Sequence, residues 1–228
     1  MAGRHYGQYC GVGTALELVG ERWALLIVRD LLVGPRRYSD LKRGLARIPT
    51  NILAARLKEL QAAGVIRRAP LPTARAGIIY ELTEFGQGLE DVVLALGRWG
   101  FRAMGEPGED DVVTEDSMTM ALRTAFEADS AAELPDTVYE LRIGDIVLTA
   151  TVAGGTLRVR PGVAEPAADL VLSAGPGIRH LIAGDVTAES ARAQGLVGVL
   201  DGDPGLLDRF MATFHIDADP GPPLAAAG

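Results

Sequence analysis

Leu53, Leu57 and Leu60 recur at i, i+4 and i+7 in IPTNILAARLKELQAAG, and with Ile52 they form one apolar stripe of a helix. Pro49 suits the first helical position and Gly64 suits the stop after the last turn. Directly after Gly64 the periodicity changes. VIRRAPLP and GIIYELT are β-branched or alternate in polarity, and TARAG lies between them. This predicts a hairpin whose tip carries Arg75. A shorter helix, RYSDLKRGL, precedes the stripe, with Tyr38 or Ser39 near its start and Leu41 and Leu45 facing inward. A helix pair with a short connection, followed by a hairpin, is the element order of a winged helix-turn-helix.

The flanking segments complete a mainly helical first domain. TALELVGERWALLIVRDLLVG has apolar residues at helical spacing, Asp30 excepted, and reads as a short helix to about Val19 and a second from Glu21 to Leu32. Gly34 and Pro35 end it. After the hairpin, a single helix is expected from Thr83 as N-cap, with Glu84 in its first turn and a stripe of Leu89, Val92/Val93, Leu96 and Trp99.

Charge divides the chain. Residues 1–105 hold 15 Lys and Arg against 9 Asp and Glu, a net of +6, whereas residues 106–228 hold 7 against 21, a net of −14. The basic half suits a polyanion, because Lys and Arg that neutralise phosphates release counterions. The second helix of the pair is the element that can enter a major groove about 12 Å wide. With Leu53 at the centre of its buried face, Asn51, Ala55, Lys58 and Ala62 point the other way. Thr50 stands in the exposed first turn, where backbone N–H groups favour phosphate. Arg36, Arg37, Lys42, Arg43 and Arg47 surround that helix in sequence as expected phosphate contacts, and Ser39 and Arg75 complete the candidate set. Double-stranded DNA is the expected partner. A solvated basic face on an ordinary helical domain is the competing reading of the charge, and the hairpin after the helix pair favours DNA.

Four motifs resemble the HxlR-type transcriptional regulators. They are GERWALLI, GPRRYSDL, the run from Leu53 through LAARLKELQAAGVI, and YELTEFG, within residues 8–103. The resemblance implies a dimeric winged-helix DNA binder with terminal helices at the dimer interface. Pro49 departs from the pattern, since members of that family often carry a serine there, so the side-chain cap is lost. Cys10 sits where several such proteins have a redox-sensing cysteine, with a small packed residue as the alternative.

GEPGEDD, residues 105–111, reads as a linker, and the segment from Ala218 as a flexible tail. Between them, residues 113–217 predict an α+β domain, an antiparallel sheet covered by helices. MTMALRTAFEADSAAELP reads as one helix, Gly144-Asp145 and Gly154-Gly155 as hairpin turns, Thr187 as an N-cap, and PGLLDRFMATFH as a last helix from Pro204. GTLRVRPG, DLVLS, LIAGDVT and GDPGLLDRF resemble the sterol carrier protein type two fold. That resemblance implies a cavity for an apolar small molecule, to be lined by Met118, Leu122, Leu181, Phe210 and Phe214, with a closed structural domain as the alternative.

No phosphate-loop or dinucleotide fingerprint and no nucleophile elbow occurs, so an enzyme is not expected, nor a cofactor. One cysteine excludes an internal disulfide framework, and the three histidines are too scattered for an expected metal site. No apolar run is long enough to span a bilayer and the N-terminus lacks a signal-like core, so the expected location is cytoplasmic. The expected function is DNA-binding regulation, controlled through an apolar effector or through Cys10. A lipid carrier whose basic domain only dimerises is the alternative.

Overall fold

A computed structural model describes residues 5–71, 77–108, 110–175 and 177–217. Its contacts divide the chain into two compact units, residues 1–93 and 94–228. Arg75 and the segment from Ala218 lie outside the described residues.

The first unit contains α1 (Gly11–Val19), α2 (Ala24–Val33), β1 (Arg36–Arg37), α3 (Tyr38–Gly44), α4 (Thr50–Ala62), β2 (Ile66–Pro70), β3 (Ile78–Leu82) and α5 (Glu84–Gln87); α6 (Glu90–Phe101) begins in it. Its core follows the expected leucine stripe of α4, whereas Leu16, Leu26 and the stripe expected around Val92, Leu96 and Trp99 are exposed. Leu53, Leu57 and Leu60 of α4 are buried together with Ile27, Val28 and Leu31 of α2 and with Leu41, Leu45 and Ile48. Burying each such side chain stabilises by about 1.5–3 kcal/mol. The sheet runs β1-β3-β2, all antiparallel, so the hairpin gains a third strand of two residues. A strand that short has no periodicity to betray it in the sequence.

Local structure differs from expectation at four places in this unit. The second helix begins at Ala24 rather than Glu21, because Trp23 adopts the left-handed region, φ 80°, and cannot continue a helix. Asp30, the exception in the apolar pattern, is fully buried, with its Oδ1 accepting from Arg29 Nε at 2.8 Å and Nη2 at 2.6 Å. A buried carboxylate needs such partners. Pro49 is the N-cap of α4 rather than its first residue, extended at φ −62°, ψ 143°. The helix expected from Thr83 is two helices. Thr83 caps α5 as expected, its Oγ1 accepting from Gly86 N at 3.1 Å, but the chain then breaks at Gly88 before α6.

α5 approaches the end of α4 so closely that position 86 requires glycine. The same Thr83 hydroxyl donates to the Gly64 carbonyl at 2.6 Å, drawing α5 against the end of α4. A Cβ at Gly86 would stand 2.0 Å from the Val65 carbonyl oxygen.

The second unit holds α7 (Glu115–Ala125), α8 (Ala128–Glu133), β4 (Thr137–Ile143), β5 (Ile146–Ala153), β6 (Thr156–Pro161), β7 (Leu170–Ala174), α9 (Ile178–Ile182), α10 (Ala188–Ala193), β8 (Val197–Gly202) and α11 (Leu206–Thr213). It is a helix-and-sheet unit. The helix expected from Met118 onward is broken into α7 and α8 at Phe126, which is extended and bridges to Phe214. The last helix starts at Leu206 rather than Pro204.

The sheet order is β6-β5-β4-β7-β8, and it is mixed rather than antiparallel throughout, since β7 runs parallel to β4. Residues 162–169 make the return. Their path over the outer face of the sheet is marked by Ala164 N donating to the buried Glu140 at 2.8 Å and by Thr149 Oγ1 donating to the Gly162 carbonyl at 2.9 Å. The turn glycines 144, 154 and 155 have φ of 57°, 53° and 73°, as the expected hairpins require. Thr187 caps α10, accepting from Ser190 N at 3.1 Å.

Gly86→Ala is expected to destabilise by about 1–3 kcal/mol or more, because the Val65 backbone must shift. Gly100→Ala, in α6 with nothing within 4 Å of its Cβ position, should instead gain about 0.5–1 kcal/mol. Thermal melts of the two variants measure the contrast, and equal melting temperatures would contradict it.

Candidate nucleic-acid interface

The α3–turn–α4 pair is built by burial on one side and short polar ties on the other. Leu53, Leu57 and Leu60 hold α4 inward, which leaves Thr50, Asn51, Lys58 and Ala62 exposed and Ala55 half-buried. Pro49 makes no side-chain cap. Two side chains of α3, one turn apart, reach the connection and the next helix. Lys42 Nζ donates to the Ala46 carbonyl at 3.2 Å, and the Tyr38 hydroxyl donates to the Thr50 carbonyl at 2.9 Å.

The arginines occupy distinct settings. Arg37 is exposed at the N-cap of α3, where its backbone N–H donates to Asp40 Oδ2 at 3.1 Å. Arg43 is exposed and 3.6 Å from Asp40 Oδ1, and Arg47 and Ser39 are exposed. Arg36 is half-buried on β1, with a guanidinium N–H to the Pro35 carbonyl at 3.0 Å. Arg56 of α4 points away from this surface and pairs with Glu21, at 3.5 Å, and with Glu59.

The wing adds Arg68 and Tyr80, which sequence reasoning passed over, to the expected Arg36. Arg36 on β1 and Arg68 on β2 are both directly opposite Tyr80 on β3, so all three form one cross-strand row on one face. The Arg68 guanidinium lies 6.0 Å from the centre of the Tyr80 ring. Arg67, on the other face, is paired with Glu81 at 2.7 Å. The doubled arginine after Ile66 was visible in the sequence. What was missing was the register of β1, without which Arg36, Tyr80 and Arg68 could not be aligned.

Cys10 is exposed at the N-cap of α1. The backbone N–H groups of Gly13 and Val12, at the start of the helix, hold its thiol below the ordinary value.

In the second unit, Leu122, Leu181, Phe210 and Phe214 are fully buried and Met118 packs against the same core. The Phe210 and Phe214 ring centres are 4.8 Å apart, and Tyr139 lies edge-on to both. These side chains pack on one another. A groove of about 570 Å³ elsewhere in this unit is lined by Glu127, Asp208, Met211, His215 and Asp217 among others, and by none of the five.

The family model for HxlR-like helix-turn-helix proteins matches residues 18–107. An uncharacterized HTH-type transcriptional regulator of Mycobacterium tuberculosis is 42% identical over 96 residues, which cover 42% of this chain and 60% of that protein. The HTH-type transcriptional regulator YodB of Bacillus subtilis is 36% identical over 96 residues, 42% of this chain and 85% of YodB. The chain belongs to the HxlR-like helix-turn-helix family. A solved structure of the reduced form of YodB is 34% identical and covers 45% of this chain and all of that one, with a TM-score of 0.38. The chain thus spans 60% of the length of the first of these relatives. Its HxlR-like region contains α2 to α6, the helix pair and the wing among them.

A lowered thiol pKa means more thiolate at a given pH. The rate of Cys10 alkylation by iodoacetamide, measured against pH, should therefore have its midpoint below that of free cysteine, and the single cysteine makes the signal unambiguous. A midpoint at or above the free value would contradict the setting described.

Proposed function

We propose that this HxlR-like chain is a DNA-binding transcriptional regulator that acts as a homodimer. The observation that carries the reading is the outer face of α4. It presents Thr50, Asn51, Ala55 and Lys58 because the leucine stripe faces inward, and the flanking elements bear Arg36 and Arg37 on β1, Arg43 on α3 and Arg68 on β2. Small and polar groups on a helix allow close approach to base edges. The arginines, with Ser39, Lys42 and Arg47, supply phosphate contacts that set register without reading sequence. Arg75, between β2 and β3 in sequence, belongs to the same proposal.

Pairing of two copies is supported by apolar side chains left in solvent on two helices. Val92, Leu96 and Trp99 are exposed at i, i+4 and i+7 of α6, and Tyr9, Val12 and Leu16 are exposed on and before α1. Unpaired stripes of this kind mark interaction surfaces. An apolar effector in the second unit would require its filled interior, around Phe210 and Phe214, to open. The likeness of that unit to sterol carrier protein type two rests on its motifs and its sheet-and-helix composition.

A second reading keeps DNA binding and adds oxidation of Cys10 to a disulfide between copies. It is favoured by the exposure of the thiol and its lowered pKa, and loss of any oxidant response in Cys10→Ser is its measure.

DNA binding by the full chain should weaken steeply with salt. An Arg36→Ala, Arg37→Ala, Arg43→Ala triple variant should lower the log–log salt slope by about 3 and weaken all duplexes alike. Asn51→Ala should instead alter base preference, by about 1–3 kcal/mol at the base it contacts. Fluorescence anisotropy titrations at several salt concentrations measure both, and a triple variant with unchanged binding would overturn the surface proposed.

A further inference from the structure

Resting on the DNA-binding reading, we infer that Tyr38 is a positioning residue for base recognition, its hydroxyl setting the angle at which the first turn of α4 is presented. The first turn of α4 bears Thr50 and Asn51, the residues nearest the proposed base edges. Its usual anchor would be a capping side chain, and Pro49 provides none; proline also has no backbone N–H to tie the turn from within. The connection of residues 45–49 is held from below by buried Leu45 and Ile48, with Ile48 N donating to the Leu45 carbonyl at 2.9 Å. These contacts fix the depth of the turn. The leucine stripe sets which face of α4 is outward, and the fine placement of its first turn is left to a tie on the solvent side.

On the solvent side the tie comes from α3. Tyr38 and Lys42 are four residues apart and therefore share a helix face. Lys42 holds the carbonyl of Ala46, before the turn's end, and Tyr38 holds the carbonyl of Thr50, the first residue of α4. The Tyr38 bond spans 12 residues of sequence and joins the two helices directly. The base of α3 is itself fixed, since Asp40 accepts the Arg37 N–H. The tyrosine thus transmits the orientation of a capped helix to the uncapped one. Phenylalanine would keep the ring's packing and lose only this bond, so the hydroxyl bears on orientation more than on folding.

The test selects duplexes from a random-sequence DNA pool with the full-length protein, then compares Tyr38→Phe with the parent on the selected duplex and on a scrambled one. The expected result is a melting temperature near the parent's, unchanged affinity for the scrambled duplex, and a preference for the selected duplex reduced about two- to tenfold, the range of one hydrogen bond. Replacing Tyr38 with 4-aminophenylalanine, which restores an N–H donor at the same place, should recover the preference. Tyr38→Phe with parental preference, or 4-aminophenylalanine no better than phenylalanine, overturns the positioning role while leaving DNA binding intact. No enrichment by the parent protein overturns the DNA-binding reading and the inference with it.

Discussion

The burial of Leu53, Leu57 and Leu60 is the contact on which the first unit depends. These side chains are buried, as are Ile27, Val28, Leu31, Leu41 and Ile48, and an amphipathic helix buries its apolar face. Once the leucines point inward, the positions of Thr50, Asn51 and Lys58 follow from the helical period. The same burial sets where α4 ends, and so where Val65 and Ile66 enter the sheet. Through Val65 it also sets how closely α5 can approach, which is why residue 86 has room for no side chain. Truncating one of these leucines to alanine leaves a cavity, at about 2–5 kcal/mol, in the element that presents the proposed reading face.

What was legible in the sequence was what repeats or caps locally. The leucine stripe, the caps at Thr83 and Thr187, and the turn glycines at 144, 154 and 155 all stand as read, because each depends on neighbours within a few residues. The departures depend on distant partners. Trp23 in the left-handed region, the fully buried Asp30 and the break between α5 and α6 are set by tertiary packing that overrides local propensity. The parallel pairing of β4 with β7 needs a long return across the sheet, and no local pattern announces it. At the candidate interface, the exposed face of α4 was readable by helical period alone. The Arg36–Tyr80–Arg68 row was not, since it needs the register of three strands.

The loss of a side-chain cap at Pro49 has a structural counterpart. Proline holds the N-cap in the extended conformation, and the carbonyl of the next residue is taken by Tyr38 from the preceding helix. The tie at this turn is thus one between helices, made to a carbonyl and not to the N–H groups that a side-chain cap would take. The second unit, acidic in composition, keeps a tightly filled core in which Tyr139, Phe210 and Phe214 stack at right angles or tilted. Edge-to-face packing of this kind favours one arrangement of the interior over many.

Hydrogen exchange of the full chain with and without duplex DNA tests the central claim most directly, because it locates contact without assuming which side chains make it. Protection gained in peptides covering residues 36–58 and 66–82, with little change across residues 115–216, is the predicted result. Protection confined to residues 115–216, with the α3–α4 pair unchanged, would contradict it.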